Sequence, residues 1–393
     1  MDFAQISINK TEVPQSALDI DVKTRSNLFS WNGQFSPQFV EALLNKYSSK
    51  DDFVIDPFVG SGTTLYECSR KGLSAYGTEI NASAYYMAKT YEFSNLDLAD
   101  RLSIISKINS FISSLDNNIL EELALEVNNN KDSIYGNVLS LLVVLLDVFN
   151  NEVSLDLVKN KWKHLTDNLL KIPYSFNTVK ADRSDSRHLN LDDNTADLLV
   201  TSPPYINVFN YHQKYRRSVE ALGFNVLSIA KSEFGSNRKN RGNRLLTVIQ
   251  YCIDMALSMK EASRVCKNNS RMIYVVGRES KVLGYSFCNS ELIYNIGTKI
   301  FDFGFMVRQE RVFKNRFGQM IYEDILHFKN KKTIISDTSI IAEARNIAVE
   351  MLKDKLSYSD NKNKELLLEA INKKDTVKKS EELIIWEERM EKK

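Results

Sequence analysis

Four short apolar runs in the first half of the chain each end at a polar residue or a turn. Runs of this length are typical of buried strands, and apolar residues at helical spacing separate them. Strands that alternate with helices predict right-handed βαβ units, a mostly parallel sheet and helices on both of its faces. The predicted strands cover residues 53–55, 75–78, 178–181 and 196–200.

Farther along, a fifth strand is predicted at 271–277, after a helix at 245–265. Apolar and polar residues then alternate on both sides of Asn315-Arg316-Phe317-Gly318, which predicts a terminal β-hairpin of 305–313 and 321–328. Residues 96–171 carry leucine and isoleucine at helical spacing, so about four helices are expected between the second and third strands. The predicted organisation is a catalytic domain of residues 1–95 and 172–332, a helical insert at 96–171 and a helical C-terminal tail at 333–393.

The composition is that of a globular chain, since 43% of its 393 residues are apolar. The longest apolar run, Leu139 to Leu146, is far shorter than the roughly 20 residues that cross a bilayer, and no signal pattern begins the chain. We therefore expect a cytoplasmic protein without a membrane partner. The four cysteines lie far apart without histidine at ligand spacing, which predicts neither a metal site nor a disulfide framework.

Charge is unevenly distributed along the chain. Residues 206–245 hold eight Lys/Arg against two Asp/Glu, whereas 94–171 hold eleven Asp/Glu against seven Lys/Arg. A polyanionic partner would be attracted to the first segment and mildly repelled by the second.

The strongest local pattern is the glycine turn, Asp56-Pro57-Phe58-Val59-Gly60-Ser61-Gly62-Thr63-Thr64, between a predicted strand and a predicted helix. Glycines let the backbone approach a ligand closely, and the free amides at a helix start favour an anion. Asp56 adds a carboxylate that can accept from an ammonium group, and the turn lacks the features of a triphosphatase or dinucleotide site. Glu79, at the end of the second strand, is placed to accept ribose hydroxyls. Asp182, at the tip of the third strand, could accept from an adenine amino group, with Asp185 nearby as an alternative.

The second strong pattern is the double-proline turn, Thr201-Ser202-Pro203-Pro204-Tyr205, directly after the fourth strand. Two prolines fix the backbone and leave the carbonyls of Ser202 and Pro203 pointing outward. A flipped base could donate its amino hydrogens to these acceptors and stack on Tyr205.

Together the two turns resemble the DNA methyltransferases that methylate amino groups, with their motif I (Asp-Pro-Phe-x-Gly-Ser-Gly-Thr) and motif IV (Asp/Asn/Ser-Pro-Pro-Tyr). Residues 35–40 are similar to the motif X of that family, and Trp31 lies nearby. The resemblance spans about residues 25–330 without the insert. The motif order X, I, IV departs from the commonest order for this motif I, so the place of the target-recognition region stays open.

The resemblance implies a Rossmann-like α/β fold of S-adenosylmethionine-dependent methyltransferases and S-adenosylmethionine as the cofactor. It implies cofactor-binding roles for Trp31, Phe35, Pro37, Asp56, Pro57, Phe58, Gly60, Ser61, Gly62, Thr63, Thr64, Glu79, Ile80 and Asp182. It implies catalytic roles for Ser202, Pro203, Pro204 and Tyr205.

Serine at position 202 resembles the cytosine-N4 subgroup of the family more than the adenine-N6 subgroup. The expected activity is therefore methyl transfer to the N4 amino group of a flipped cytosine in double-stranded DNA, alongside a cognate restriction endonuclease. Three alternatives remain: an adenine-N6 enzyme, an RNA base methyltransferase acting on an amino group, and a non-catalytic DNA-binding subunit. Methylation at a ring carbon is disfavoured, because the double-proline turn lacks the cysteine nucleophile that this chemistry needs.

Basic residues beside the double-proline turn and on the terminal hairpin are candidates for gripping DNA phosphates. The predicted DNA-binding residues are Lys231, Arg238, Lys239, Arg241, Arg244, Arg308, Arg311, Lys314 and Arg316.

Overall fold

The computed structural model describes residues 2–383 apart from 132, 207–210, 236–239, 241, 316 and 359–360. Its centre is a seven-stranded sheet. The strands, in chain order, are β1 Phe53–Asp56, β2 Ser74–Thr78, β3 Val179–Asp182, β4 Ala196–Thr201, β5 Cys266–Gly277, β6 Glu279–Val282, β7 Tyr285–Cys288, β8 Gly304–Lys314 and β9 Met320–Lys329. Strands β6 and β7 form a separate two-stranded hairpin.

The strand order in the large sheet is β3-β2-β1-β4-β5-β9-β8. The first five strands are parallel, β9 is antiparallel to β5, and β8 is antiparallel to β9. This is the doubly wound order with a terminal antiparallel hairpin. The expected Rossmann-like α/β fold is confirmed, and the ends of the predicted strands lie within five residues of the observed ends.

Helices cover both faces of the sheet. In chain order the helices are α1 Gln15–Asp19, α2 Pro37–Tyr47, α3 Thr63–Lys71, α4 Ala82–Lys89, α5 Leu98–Ser114, α6 Ile119–Asn129, α7 Ile134–Leu146, α8 Leu155–Leu169, α9 Arg216–Ala221, α10 Val226–Ser232, α11 Leu246–Val265, α12 Asn289–Asn295, α13 Asp337–Asp354 and α14 Asn361–Asn372. No helix in the described part of the chain is both long and apolar enough to cross a membrane.

The predicted insert contains α5, α6, α7 and α8 in its described residues, and each of α5, α7 and α8 begins where an Asp or Ser side chain caps it. Helix α7 is apolar on nearly every side, and it is buried because its neighbours α4, α6 and α8 surround it. Its leucines join the same core cluster as α2, α3 and β1. The opposite face of the sheet carries a second cluster, formed with α11, α12 and α13.

The short elements were not predicted. Strands β6 and β7 contain four residues each, and helices α1, α9, α10 and α12 contain five to seven. Strand β1 is equally short but consists of an apolar run, whereas β6 and β7 mix polar and apolar residues, and the short helices have too few turns for an apolar pattern to be recognised. Helices α1 and α9 pack against β8 and α7, which are distant in sequence, whereas β6 and β7 pair with each other.

Gly62 begins α3 at a position that no other residue fits. Its φ is +93°, and a Cβ there would lie 2.5 Å from the Tyr91 ring and 2.8 Å from the Ala88 backbone. We expect Gly62→Ala to lower the free energy of unfolding by about 3 kcal/mol or more, because left-handed strain and overpacking add. Gly72 also has a positive φ but open space around it. Gly72→Ala should therefore cost only about 1 to 2 kcal/mol in the same denaturant titration, and equal losses in the two variants would contradict the packing argument.

Candidate active site

A cavity of about 460 Å³ opens at the carboxyl ends of the parallel strands, where ligands bind in sheets of this type. Both sequence patterns contribute to its wall. From the glycine turn and its helix it takes Asp56, Pro57, Phe58, Val59, Gly60 and Thr63, and from the double-proline turn Ser202, Pro204 and Tyr205. The two turns therefore lie side by side, as the sequence argument requires.

Asp56 joins the two turns directly. Its strand pairs in parallel with β4, which places the ends of both strands next to each other. The Asp56 carboxylate accepts hydrogen bonds of 2.6 Å from the Thr64 hydroxyl and 2.6 Å from the Thr201 hydroxyl. The Phe58 amide donates to it as well, at 3.1 Å. Burial raises the pKa of Asp56 to about 6, although these three bonds favour its charged form.

The glycine turn is held against an N-terminal segment that sequence analysis reached only in part. The Gln34 side-chain oxygen accepts from the Ser61 hydroxyl at 2.7 Å and from the Trp31 amide at 3.0 Å. The indole of Trp31 lies over Gly60, where a Cβ would be 3.5 Å from the ring. Trp31 is also stacked on Tyr211, with ring centroids 6.1 Å apart. Aromatic rings thus line one side of the cavity.

Carboxylates also line the wall. Glu79 accepts from the Asn81 amide at 2.8 Å, and burial raises its pKa to about 7. Glu233 lies close enough for its charge to raise the pKa of Glu79 further. Both Glu233 oxygens are engaged by His212, at 2.8 Å from the backbone amide and 2.8 Å from Nδ1. A cavity with this much negative charge is suited to a cationic ligand or to one rich in hydroxyl groups.

Tyr205 is fixed by contacts on several sides. Its ring packs on Gly277, where a Cβ would lie 2.6 Å from the ring. Its hydroxyl donates to Glu323 at 3.3 Å and lies 3.4 Å from the Ser202 hydroxyl. The carbonyl of Pro204 is occupied by the Tyr251 hydroxyl at 2.8 Å. These contacts therefore hold Ser202 and the Tyr205 ring in defined positions on the cavity wall.

Several predicted cofactor residues support the cavity without lining it. Trp31, Phe35, Glu79 and Ile80 line it, whereas Pro37, Ser61, Gly62 and Thr64 do not. Among the predicted catalytic residues, Pro203 does not line it. Asp182 does not line the cavity either: its carboxylate accepts from the Tyr76 hydroxyl at 3.1 Å and pairs with Lys180 at 3.0 Å. The following loop lines the wall in its place, through Ser184, Asp185 and Ser186.

Two predicted DNA-binding residues are buried in ion pairs, which disagrees with a role on an exposed surface. Arg308 is 9% exposed, pairs with Asp324 at 3.0 Å and covers the Phe3 ring. Arg311 is 5% exposed and pairs with Glu323 at 3.1 Å. Neither guanidinium can reach a phosphate on the surface.

The remaining basic candidates have different surroundings. Lys314 is exposed on the hairpin. Lys231 is exposed at the end of α10, 3.5 Å from Glu381, and Arg244 lines the cavity. Arg238, Lys239, Arg241 and Arg316 lie outside the described residues.

Sequence reasoning missed a group of cavity residues that belong to no recognised turn: Asn32, Gly33, Gln34, Thr78, Asn81, Ser184, Ser186, Tyr211, His212, Glu233, Phe234 and Gly235. Most of them adjoin predicted residues in sequence, as Asn32, Gly33 and Gln34 lie between Trp31 and Phe35, and this proximity was the available signal. Glu233 to Gly235 gave none, since only the chain path brings Phe234 against Phe58, with ring centroids 5.5 Å apart.

The chain is a Rossmann-like α/β protein in which the glycine turn and the double-proline turn share one cavity at the carboxyl edge of the sheet. A family model described as N6_N4_Mtase, DNA methylase, matches residues 9–90. The matched residues are thus similar to DNA methyltransferases that methylate amino groups.

Two characterised proteins are similar to the chain. The type II methyltransferase M.MjaII of Methanocaldococcus jannaschii is 43% identical over 51 residues, which are 13% of this chain and 10% of that protein. The type II methyltransferase M.MvaI of Kocuria varians is 23% identical over 339 residues and covers 63% of this chain and 74% of that protein. The chain thus spans a tenth of the first relative and about three quarters of the second.

Among solved structures, a SAM-dependent methyltransferase from Methanosarcina mazei aligns with 73% of this chain and 96% of its own, at 12% identity and a TM-score of 0.36. At that score the fold assignment rests on the strand order and directions of this chain.

Proposed function

We propose that this protein is an S-adenosylmethionine-dependent DNA methyltransferase that methylates the N4 amino group of a flipped cytosine. The observation that carries the proposal is the shared cavity, in which Asp56 is hydrogen-bonded to a threonine of each turn. One turn is suited to a small cationic cofactor and the other to a base with a free amino group.

The residues present fit S-adenosylmethionine. Glu79 would accept from the ribose hydroxyls, and Trp31 with Phe35 would cover the methionine end. The Ser186 hydroxyl is buried at the cavity wall and has no hydrogen-bond partner among the described residues, which leaves it available to a ligand. The cofactor, when bound, supplies a methyl group on a positively charged sulfur.

On the target side, the Ser202 hydroxyl on the cavity wall would accept an amino hydrogen and so orient the nitrogen lone pair. The Tyr205 ring would hold the base by stacking. An exocyclic amine is a poor nucleophile, since its lone pair is delocalised into the ring. Positioning for a direct in-line displacement therefore accounts for most of the rate gain, and no covalent enzyme intermediate is needed.

Cytosine is the proposed base because serine stands at position 202, as in the cytosine-N4 subgroup that the turn resembles. The adenine-N6 and RNA alternatives predict different products of the same chemistry. A cognate restriction endonuclease is a proposed partner, in line with the type II names of the two relatives.

A groove beside the cavity is the proposed DNA-gripping surface among the described residues. Its basic residues are Lys214, Arg216 and Arg217, and Tyr215 and Phe149 of the insert lie beside them. Asp147 and Glu220 also line it, and Glu220 pairs with Arg216 at 2.7 Å, so Arg217 is the residue tested below. Lys214 connects the groove to the cavity, because its ammonium lies 4.9 Å from the Trp31 ring centroid and donates to the Ser30 carbonyl at 2.8 Å. A phosphate in this groove would flank a nucleotide whose base enters the cavity.

Arg217→Ala is expected to weaken binding to duplex DNA without a change in donor affinity. Arg217 is exposed, so the substitution should cost little stability. Loss of one phosphate contact should reduce the slope of log K against log salt concentration by about 0.9. Lys299→Ala is the matched control, since Lys299 is exposed on another part of the fold and pairs with Glu350. An unchanged slope in Arg217→Ala would remove the groove from the DNA-binding surface.

The deciding experiment is transfer of a labelled methyl group onto duplex DNA and, in parallel, onto tRNA, followed by nuclease digestion and mass analysis of the nucleosides. N4-methylcytosine from the DNA is the expected product. N6-methyladenine would establish the adenine alternative, and label only in tRNA would establish the RNA alternative. If DNA binds but stays unmethylated at saturating donor, the protein is a non-catalytic DNA-binding subunit.

A further inference from the structure

A buried polar cluster lies behind the cavity, and its centre is Arg187. The guanidinium makes two hydrogen bonds to Asp185, at 2.8 Å and 2.5 Å, and pairs with Asp254 of α11 at 3.0 Å. It also lies over the Phe234 ring, 5.1 Å from its centroid. Asp185 and Phe234 line the cavity on two different segments. One arginine therefore contacts both parts of the wall.

The C-terminal segment, residues 377–383, completes this cluster. Arg187 donates to the Ser380 hydroxyl at 3.0 Å and to the carbonyls of Ser380 and Glu381 at 3.2 Å and 3.0 Å. The Ser380 amide donates to Asp254 at 2.9 Å. Ser380 itself is 1% exposed. These contacts are buried, so each bond left unmade would strand a polar group.

The same segment also holds the second part of the wall. The Glu381 amide donates to the Lys231 carbonyl at 3.2 Å, and the Ser380 hydroxyl lies 3.4 Å from the Ser232 carbonyl. Residues 231 and 232 end α10 and lead directly into Glu233, Phe234 and Gly235 of the cavity. A segment far from both sequence patterns thus connects the 184–186 loop to the 233–235 loop.

We propose that Arg187 and Ser380 are positioning residues, through which the C-terminal segment holds these two loops in the geometry that binds the methyl donor. The proposal rests on the proposed function, because it assigns the 184–186 loop to the donor. Neither residue lines the cavity. Their effect is carried by Asp185, Phe234 and the end of α10.

Arg187→Lys is the main variant in the test, made in the full-length protein. Lysine keeps the positive charge between Asp185 and Asp254, but its single ammonium cannot reproduce the forked bonds to both loops. The dissociation constant for S-adenosylhomocysteine, measured by calorimetry, should rise about tenfold, whereas that for duplex DNA should stay within twofold. Ser380→Ala should raise the dissociation constant for S-adenosylhomocysteine about threefold. The double variant should show less than the product of the two effects, because both changes break one network.

Ser357→Ala is the matched control, since it removes an exposed serine hydroxyl from the same tail. Hydrogen exchange adds a readout that is independent of the variants: S-adenosylhomocysteine should slow exchange at residues 377–383 of the wild-type protein, because coupling between two sites is reciprocal. Donor binding by wild type with no change in the variants and no slowing at 377–383 would overturn the positioning role. Failure of wild type to bind the donor at all would instead overturn the proposed function.

Discussion

Tyr205→Ala is expected to lower kcat/KM for duplex DNA roughly 10- to 100-fold while donor affinity stays unchanged. Stacking of a base on an aromatic side chain contributes about 1 to 3 kcal/mol, and this contribution is lost with the ring. The cavity offers the flipped base this ring beside Ser202, on a turn that the Gly277 and Glu323 contacts hold in place. Initial rates of labelled methyl transfer, with donor binding measured separately, check the prediction.

Tyr205→Phe separates stacking from hydrogen bonding. It keeps the ring and its contact with Gly277 but removes the hydroxyl that reaches Glu323 and Ser202. The phenylalanine variant should retain most of the rate. If both variants lose the rate equally, the hydroxyl rather than the ring is essential, and the stacking role is wrong.

Glu79→Ala should weaken donor binding by roughly 100-fold or more, because each hydrogen bond from a ribose hydroxyl to a carboxylate is worth about 1.5 to 3 kcal/mol. The donor affinity of the wild-type protein should also depend on pH. Burial raises the pKa of Glu79 to about 7, so the free protein is largely protonated at pH 6 and ionised at pH 8. Only the ionised form accepts both hydroxyls. Donor affinity should therefore rise about tenfold from pH 6 to pH 8 and level off above it.

Glu79→Gln tests the origin of that pH dependence. It should bind donor weakly and show a nearly flat profile between pH 6.5 and 8. Glu291→Gln is the control, since burial also raises the pKa of Glu291 but this residue lies on α12, outside the cavity wall. A profile that persists unchanged in Glu79→Gln would assign the titrating group elsewhere.

The strands of the large sheet and the helices of the insert could be predicted from sequence because each carries its own signal. The apolar runs of β1 and β4, the alternation in β8 and β9 and the leucine spacing of α5 to α8 are local properties that the sheet and its helices preserve. Hairpin β6–β7 and the short helices α9 and α10 carry no such signal. Helix α9 forms where α7, which is distant in sequence, packs against it.

The hairpin arginines show why surface residues are harder to place than strands. Their basic character suggested a DNA-binding face, but Arg311 lies directly opposite Glu323 in the β8–β9 register and Arg308 contacts Asp324. The predicted strand at 305–313 contains both arginines, as the observed strand does. The charge of an arginine says nothing about whether a carboxylate on the next strand already neutralises it, and only the register settles that.

The two turns and the strands that carry them could be predicted from sequence alone, since a glycine turn and a double-proline turn are defined by the backbone angles of consecutive residues. Their surroundings could be found only from the tertiary structure: the N-terminal Gln34 and the Glu233–His212 pair lie on the cavity wall, and the C-terminal Ser380 lies behind it. Those residues are separated by up to about 350 positions along the chain. Their meeting depends on the order in which parallel strands are laid down in the sheet, because that order brings the strand ends to one edge, and no local pattern encodes it.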